Sequence, residues 1–255
     1  MSLTALFVAL LLCITRMSGL FVIIPVFGSK NIPPQVKVGL VFFTSYVLLP
    51  VLDLQYVSGI DTFLNLAYLL IIEFIIGLSF GMVMVLALSC IYLAGAIIDR
   101  NIGFSMVSVI NPIGTDSLPV SANLFYIMSL MIFFVINGHH QLIRVLVETY
   151  NFAPVGRGVY NVFAYMQLTE VLQAAFIMGF KLASPFVVTV FISNILLGLL
   201  AKAMPGMNVF MLGMPLKVTV GIFLFVALVP YYVTAYTEVF EWIWNYMIRF
   251  MVYLK

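Results

Sequence analysis

Charge-free apolar sequence fills residues 74–98, 117–143, 182–201 and 218–237, and each run meets or exceeds the roughly 20 residues a helix needs to cross a hydrocarbon core. Two weaker runs cover 1–27, interrupted by Arg16, and 38–52, which is short for a crossing and continues as an irregular or tilted segment. The pattern holds six hydrophobic segments. None alternates with the period of two that a barrel strand requires. Without such a barrel, only a helix satisfies its own backbone donors and acceptors in lipid. The predicted fold class is all-α, with polytopic hydrophobic helices arranged as hairpins. The stretch 62–98 exceeds one crossing, so it is either a tilted helix or one bent around Gly77 and Gly81. That Gly-x-x-x-Gly pair, with Ser79 inside it, lets helices approach closely, and close packing is favoured over a dedicated dimer seam.

Two connectors are too apolar to face water. The stretch from Met204 to Lys217 carries methionine at 204, 207, 211 and 214, with Pro205, Gly206, Gly213 and Pro215 predicted to break any continuous helix. Methionine is unbranched and polarizable and fills gaps against surfaces of varying shape, so a deformable seal and a packed connector both fit this stretch. The second connector, Asp99 to Ser121, is apolar in its first half and turn-rich in its second. Gly103, Pro112, Gly114 and Pro119 prevent a regular helix there, and Phe104, Met106, Val107, Val109 and Ile110 need burial in protein. Non-helical backbone at membrane depth is tolerated where it lines a cavity or packs inside protein. A re-entrant or pore-blocking loop meets that condition, and so does a loop lying over helix ends of the same subunit.

Composition moves the picture from the helices to their surroundings. Of 255 residues, 64 per cent are hydrophobic and 8 per cent charged, far from soluble averages, so most of the surface faces something other than water. The net charge of +2 is too small and too scattered for nucleic acid binding. Lys30, Lys37, Lys202 and Lys217 place the first and fifth connections on the cytoplasmic side. The third connection, with Asp99, Arg100 and Asp116, is slightly acidic, and charge leaves the orientation open. No basic leader precedes Arg16, so the sequence reads as mature from Met1. Cys13 and Cys90 sit alone in apolar runs, as buried thiols rather than a disulfide or metal pair.

Chemistry-bearing patterns are few. The sequence has no phosphate-binding glycine loop, no metal-ligand spacing and no nucleophile beside a base, which argues against catalysis, a bound metal or a cofactor. His139 and His140 point about 100 degrees apart on a helix, which suits interfacial hydrogen bonding better than chelation. Arg16, Glu73, Glu170 and Lys181 interrupt apolar sequence, and an ionisable group at membrane depth costs several kcal/mol unless paired. Glu73 is the most isolated. It reads as half of an interhelical or intersubunit ion pair, with proton loading in a transport path as the alternative. Glu170 and Lys181 stand eleven residues apart and take partners elsewhere.

With these residues in view, the chain resembles the FliR family of flagellar export-gate subunits, whose near relatives serve type III injectisomes. The likeness is nearly full length. It starts with Arg16-x-x-Gly19, Pro25-Val26-Phe27-Gly28 and Ile32-Pro33, then passes through the Gly103 to Pro112 connector and Asn137-Gly138-His139. It is strongest at Pro205-Gly206-Met207-Asn208-Val209-Phe210, with Gly213, Pro215, Leu216 and Lys217. The family commonly has glutamine between that proline and methionine. This chain has Gly206 there, so a polar contact from that side chain is not expected.

The resemblance implies one subunit with a FliP-like N-terminal half, 1–160, and a FliQ-like helical hairpin, 165–250, folded at the Met204 to Lys217 connector. It implies a helical assembly with FliP-like and FliQ-like subunits around an export pore, and an FlhB-like subunit associated with it. The location implied is the bacterial inner membrane at the flagellar basal body. Much of such an assembly sits above the bilayer plane, so segments that look transmembrane would bury against neighbouring subunits. In such gates a loop of this subunit plugs the pore. By position and character the candidates are Gly103, Phe104, Met106, Val107, Val109 and Ile110. Closure would be mechanical: apolar side chains exclude water and ions and yield to an unfolded substrate. An injectisome gate shares this fold and mechanism, whereas an independent proton-coupled transporter would use Glu73 or His139.

Overall fold

The computed structural model describes residues 3–24, 32–52, 57, 62–105, 119–157, 164–204, 206 and 208–252. Among them every regular element is helical. Helix α1 spans Leu3–Ile23, α2 Pro34–Leu48, α3 Phe63–Ile102, α4 Val120–Val135, α5 Gly138–Phe152, α6 Ala164–Ala203 and α7 Val209–Val252. Four of these, α1, α3, α6 and α7, are long and apolar enough to cross a membrane, and α4 with α5 qualifies as a bent pair. The polytopic all-α architecture expected from the apolar runs is the one observed.

Local chemistry redraws several boundaries. The run 117–143 is not one helix, because α4 and α5 diverge by 71° at Ile136–Asn137. Asn137 lies in the left-handed region at φ 55°, which asparagine enters more cheaply than most residues because its short polar side chain meets the backbone. Within the run 38–52, α2 ends at Leu48 and a 3₁₀ turn takes Leu49–Val51, where Pro50 lacks the N–H to continue the helix. All of the stretch 62–98 but its first residue lies inside one continuous helix of 40 residues. The apolar connector contracts to 204–208, since α6 runs to Ala203 and α7 begins at Val209. Gly213, Pro215 and Lys217 therefore stand inside α7, and Pro215 does not break it. A proline removes one helix donor, the one that would reach the carbonyl four residues before it; on the following turn the Thr219 hydroxyl donates to the Pro215 carbonyl at 2.9 Å. The same spacing recurs at Pro185 with Thr189, 2.8 Å, and at Pro230 with Thr234, 3.3 Å.

The chain forms two compact units. The first comprises Met1–Ala87, Asn137–Gln173 and Glu241–Lys255. In it α1 and α3 meet backbone to backbone. A Cβ on Gly77 would collide with the Arg16 carbonyl oxygen, and one on Gly19 would stand 2.5 Å from that of Phe74. Gly81 faces the Leu20 carbonyl, so the glycine pair serves packing within the chain. Leu12, Met17, Leu20 and Val83 are fully buried around this seam, and Phe80 of α3 meets Phe250 of α7 edge-on.

The second unit comprises Leu88–Ile136 and Ala174–Phe240. Gly95 brings α3 so close to α4 that a Cβ would overlap the Ala122 backbone, and Gly179 brings α6 against the Cys90 carbonyl. The core between these helices is aromatic. Phe125 packs on Phe225, Tyr232 and Tyr236, and Phe186 closes the cluster against Phe225. The buried Tyr232 hydroxyl donates to the Leu182 carbonyl at 2.9 Å, the partner a buried tyrosine usually needs. Cys13 and Cys90 are free and buried, as their apolar settings predict.

Candidate functional site

Among the described residues the most concentrated polar chemistry lies in the first unit. Arg16 is 1 % exposed, on the face of α1 turned toward α3 and α5. Its Nε donates to Glu73 Oε2 at 2.5 Å, and Nη2 donates to the Ala153 carbonyl at 2.9 Å. Nη1 reaches the Thr149 hydroxyl at 3.4 Å, and the guanidinium carbon stands 4.2 Å from the Tyr150 ring centroid. Glu73, itself 2 % exposed, accepts the Gly156 N–H at 3.2 Å on its second oxygen. One planar guanidinium thus addresses a carboxylate, a hydroxyl, a carbonyl and an aromatic face, a combination lysine could not reproduce. The ion pair expected of Glu73 forms between helices of this chain. Both carboxylate oxygens are occupied, so the cluster clamps α1, α3, α5 and the turn after α5.

The second unit holds the described ends of the connector that follows α3. Gly103 takes φ 98° and donates its N–H to the Asp99 carbonyl at 3.0 Å, with Ser105 N–H on the same oxygen at 3.4 Å. Phe104 is half-buried. Met106, Val107, Val109 and Ile110 lie outside the described residues. At the far end Pro119 precedes α4. The Asp99 carboxylate, 2 % exposed, accepts the Ser121 N–H with both oxygens at 3.0 Å.

The remaining singled-out residues take local roles. Pro33 stands at the N-cap of α2, directly ahead of the first helical residue Pro34, where a missing N–H costs nothing. Asn208 Oδ1 accepts the Met211 N–H at 3.3 Å and so caps α7. A Cβ on Gly213 would stand 3.2 Å from the Leu197 side chain, and Lys217 is half-buried on α7. Pro25, Gly28, Pro205, Met207 and the side chain of Phe210 lie outside the described residues. Glu170 accepts the Tyr246 hydroxyl at 3.1 Å on the surface, and Lys181 is exposed. The His139 and His140 ring centroids lie 4.1 Å apart with their planes tilted by 40°. Among the described residues no three of His, Cys, Asp or Glu gather to hold a metal ion.

The chain matches the family described as "Bacterial export proteins, family 1" over residues 7–243. It is 31 per cent identical over 225 residues to the flagellar biosynthetic protein FliR of Bacillus subtilis (strain 168), covering 86 per cent of this chain and 85 per cent of that one. With the FliR of Escherichia coli (strain K12) it shares 30 per cent over 230 residues, covering 90 per cent of this chain and 87 per cent of the relative. The chain belongs to the FliR family of bacterial export proteins. With the FliR of Aquifex aeolicus (strain VF5) the identity is 27 per cent over 226 residues, covering 88 and 86 per cent.

Within this FliR-family chain the N-terminal signature has a structural meaning. Arg16 anchors the buried clamp, and Gly19 admits α3 to backbone contact three residues later. What sequence reasoning did not find is the rest of the clamp. Glu73 lies 57 residues from Arg16 and Ala153 lies 137 away, and two of the groups are backbone atoms that every residue carries. The charge in an apolar run was the only available signal. The Asp99 bond to Ser121 was equally hidden, because Asp99 reads as an ordinary loop charge.

Proposed function

We propose that this FliR-family chain is a non-catalytic, pore-building subunit of the flagellar type III protein-export gate, in the bacterial inner membrane at the flagellar basal body. It assembles with FliP-like and FliQ-like subunits, and with an FlhB-like subunit, around a channel for unfolded substrates. Residues 1–160 serve as its FliP-like half and 165–250 as its FliQ-like hairpin.

Beyond family membership, the supporting observation concerns α6 and α7. They contain 40 and 44 residues, about 60 and 66 Å at 1.5 Å per residue, roughly twice a 30 Å hydrocarbon core. Large apolar side chains stay exposed along both: Phe176, Phe191 and Leu199 on α6, and Met211, Phe223, Val226 and Ile248 on α7. Lipid accounts for about half of such a length, and apolar surface beyond it needs protein cover. Neighbouring subunits of an assembly that rises above the bilayer supply that cover. A solitary proton-coupled transporter gains no such support, because Arg16 and Gly156 already occupy the Glu73 carboxylate.

We assign the plug to Gly103, Phe104, Met106, Val107, Val109 and Ile110, which close the resting channel by filling it with apolar side chains. Residues 204–208 act as the packed connector, and the family signature continues from there into the first turns of α7, through Lys217. Deleting Met106 to Ile110 should make the assembled gate permeable to ions and small molecules in cells. Permeability equal to that of the intact gate, with the complex assembled, would reject the plug assignment.

A further inference from the structure

We propose that Asp99 is a positioning residue of the export gate: its carboxylate ties the end of α3 to the start of α4, fixing where the connector leaves the fold and where it re-enters. This rests on the plug assignment above and names the residue that sets its base.

A helix start leaves N–H groups without partners until the first bond back to the preceding turn. In α4 that first bond runs from Asn123 N–H to the Pro119 carbonyl, 3.0 Å. The residue at the N-cap ordinarily accepts one of the earlier donors with its own side chain. Position 119 is proline, which has no such group, and the helix has no side-chain cap of its own. Asp99, 22 residues earlier, supplies the acceptor with both oxygens 3.0 Å from Ser121 N–H. A carboxylate there also faces the positive end of the α4 dipole. Its own backbone carbonyl takes the Gly103 and Ser105 N–H groups, so a single residue finishes one helix and starts the next.

The surroundings argue that the tie between helices is the point. Asp99 is 2 % exposed, and burying a carboxylate is costly. A serine or asparagine at 119 would cap α4 without that cost. A cap within α4 cannot hold α3, whereas Asp99 does. The helices touch just beside it, where Gly95 leaves no room between the α3 backbone and Ala122, and Ile102 is fully buried at the α3 end. With that contact as pivot, the Asp99 bond fixes the register of the two ends.

The test reads ion and small-molecule permeability of the assembled gate in cells, alongside the amount of assembled complex. Asp99→Ala should raise resting permeability several-fold. Asp99→Ala combined with Pro119→Asp restores a cap within α4 but not the tie, and should remain leaky while assembling normally. The double variant carries the test even if the single variant fails to assemble. Closure restored by the local cap, or wild-type tightness in an assembled Asp99→Ala gate, overturns the proposal. Deletion of Met106 to Ile110 run in parallel separates the two claims. A leaky deletion beside a tight Asp99→Ala gate rejects only the role of Asp99, and a tight deletion rejects the plug and this inference with it.

Discussion

Arg16 and Glu73 form a buried ion pair between α1 and α3. Each is nearly inaccessible and each is the other's charge partner. Removing one leaves an unpaired buried charge, which costs roughly 3–5 kcal/mol. Arg16→Met and Glu73→Gln should each sharply lower the steady-state level of the subunit and the unfolding temperature of the purified complex. Replacing both, as Arg16→Met with Glu73→Leu, should recover part of the loss, because apolar substitutes for a buried pair are often tolerated. A double variant no better than the worse single one would show that the pair is not the energetic unit. A proton-coupling role predicts something different, namely a stable Glu73→Gln protein that has lost transport. Gly103 offers a smaller effect: its Cβ would meet no atom, but at φ 98° any side chain is strained. Gly103→Ala should cost about 1–2 kcal/mol in thermal unfolding. At this scale the sequence revealed which residues were unusual, since a charge in an apolar run stands out. It could not reveal what they touch, because the partners include the Ala153 carbonyl and the Gly156 N–H.

The elements were largely legible and their ends were not. Long apolar runs announce helices because lipid leaves the backbone no other partner. Where a helix stops depends on one or two residues whose weight is hard to judge in isolation. Asn137 turns one expected span into two helices, whereas Pro215, expected to break a helix, sits inside one. The glycines divide in the same way. Gly77 and Gly39 are both helical, but a Cβ on Gly77 collides with the Arg16 carbonyl and one on Gly39 meets nothing within 4 Å. Gly39→Ala should be neutral or stabilise by up to ~1 kcal/mol through helix propensity. Gly77→Ala should destabilise, because backbone cannot move aside as a flexible side chain does. Thermal unfolding of the two variants in the same complex decides the matter, and a reversed order would contradict the backbone contact between α1 and α3.

For the whole molecule, sequence order gives little warning of how the chain groups itself. Each compact unit draws on segments far apart in the sequence, and α3, α6 and α7 each contribute residues to both. Composition identified an apolar surface but not what covers it. The lengths of α6 and α7 sharpen that question, because their exposed side chains extend over about twice the thickness of a hydrocarbon core. The candidate plug was visible as an apolar connector, and the Asp99 bond at its base was not. The most direct measurement is co-purification of this chain with FliP-like and FliQ-like subunits after gentle detergent extraction, compared with Phe223→Glu/Val226→Glu on the exposed face of α7. The proposed assembly predicts a stable complex for the natural chain, aggregation of the chain produced alone, and loss of the complex in the charged variant. A natural chain that is monodisperse by itself and retains neither partner would contradict it.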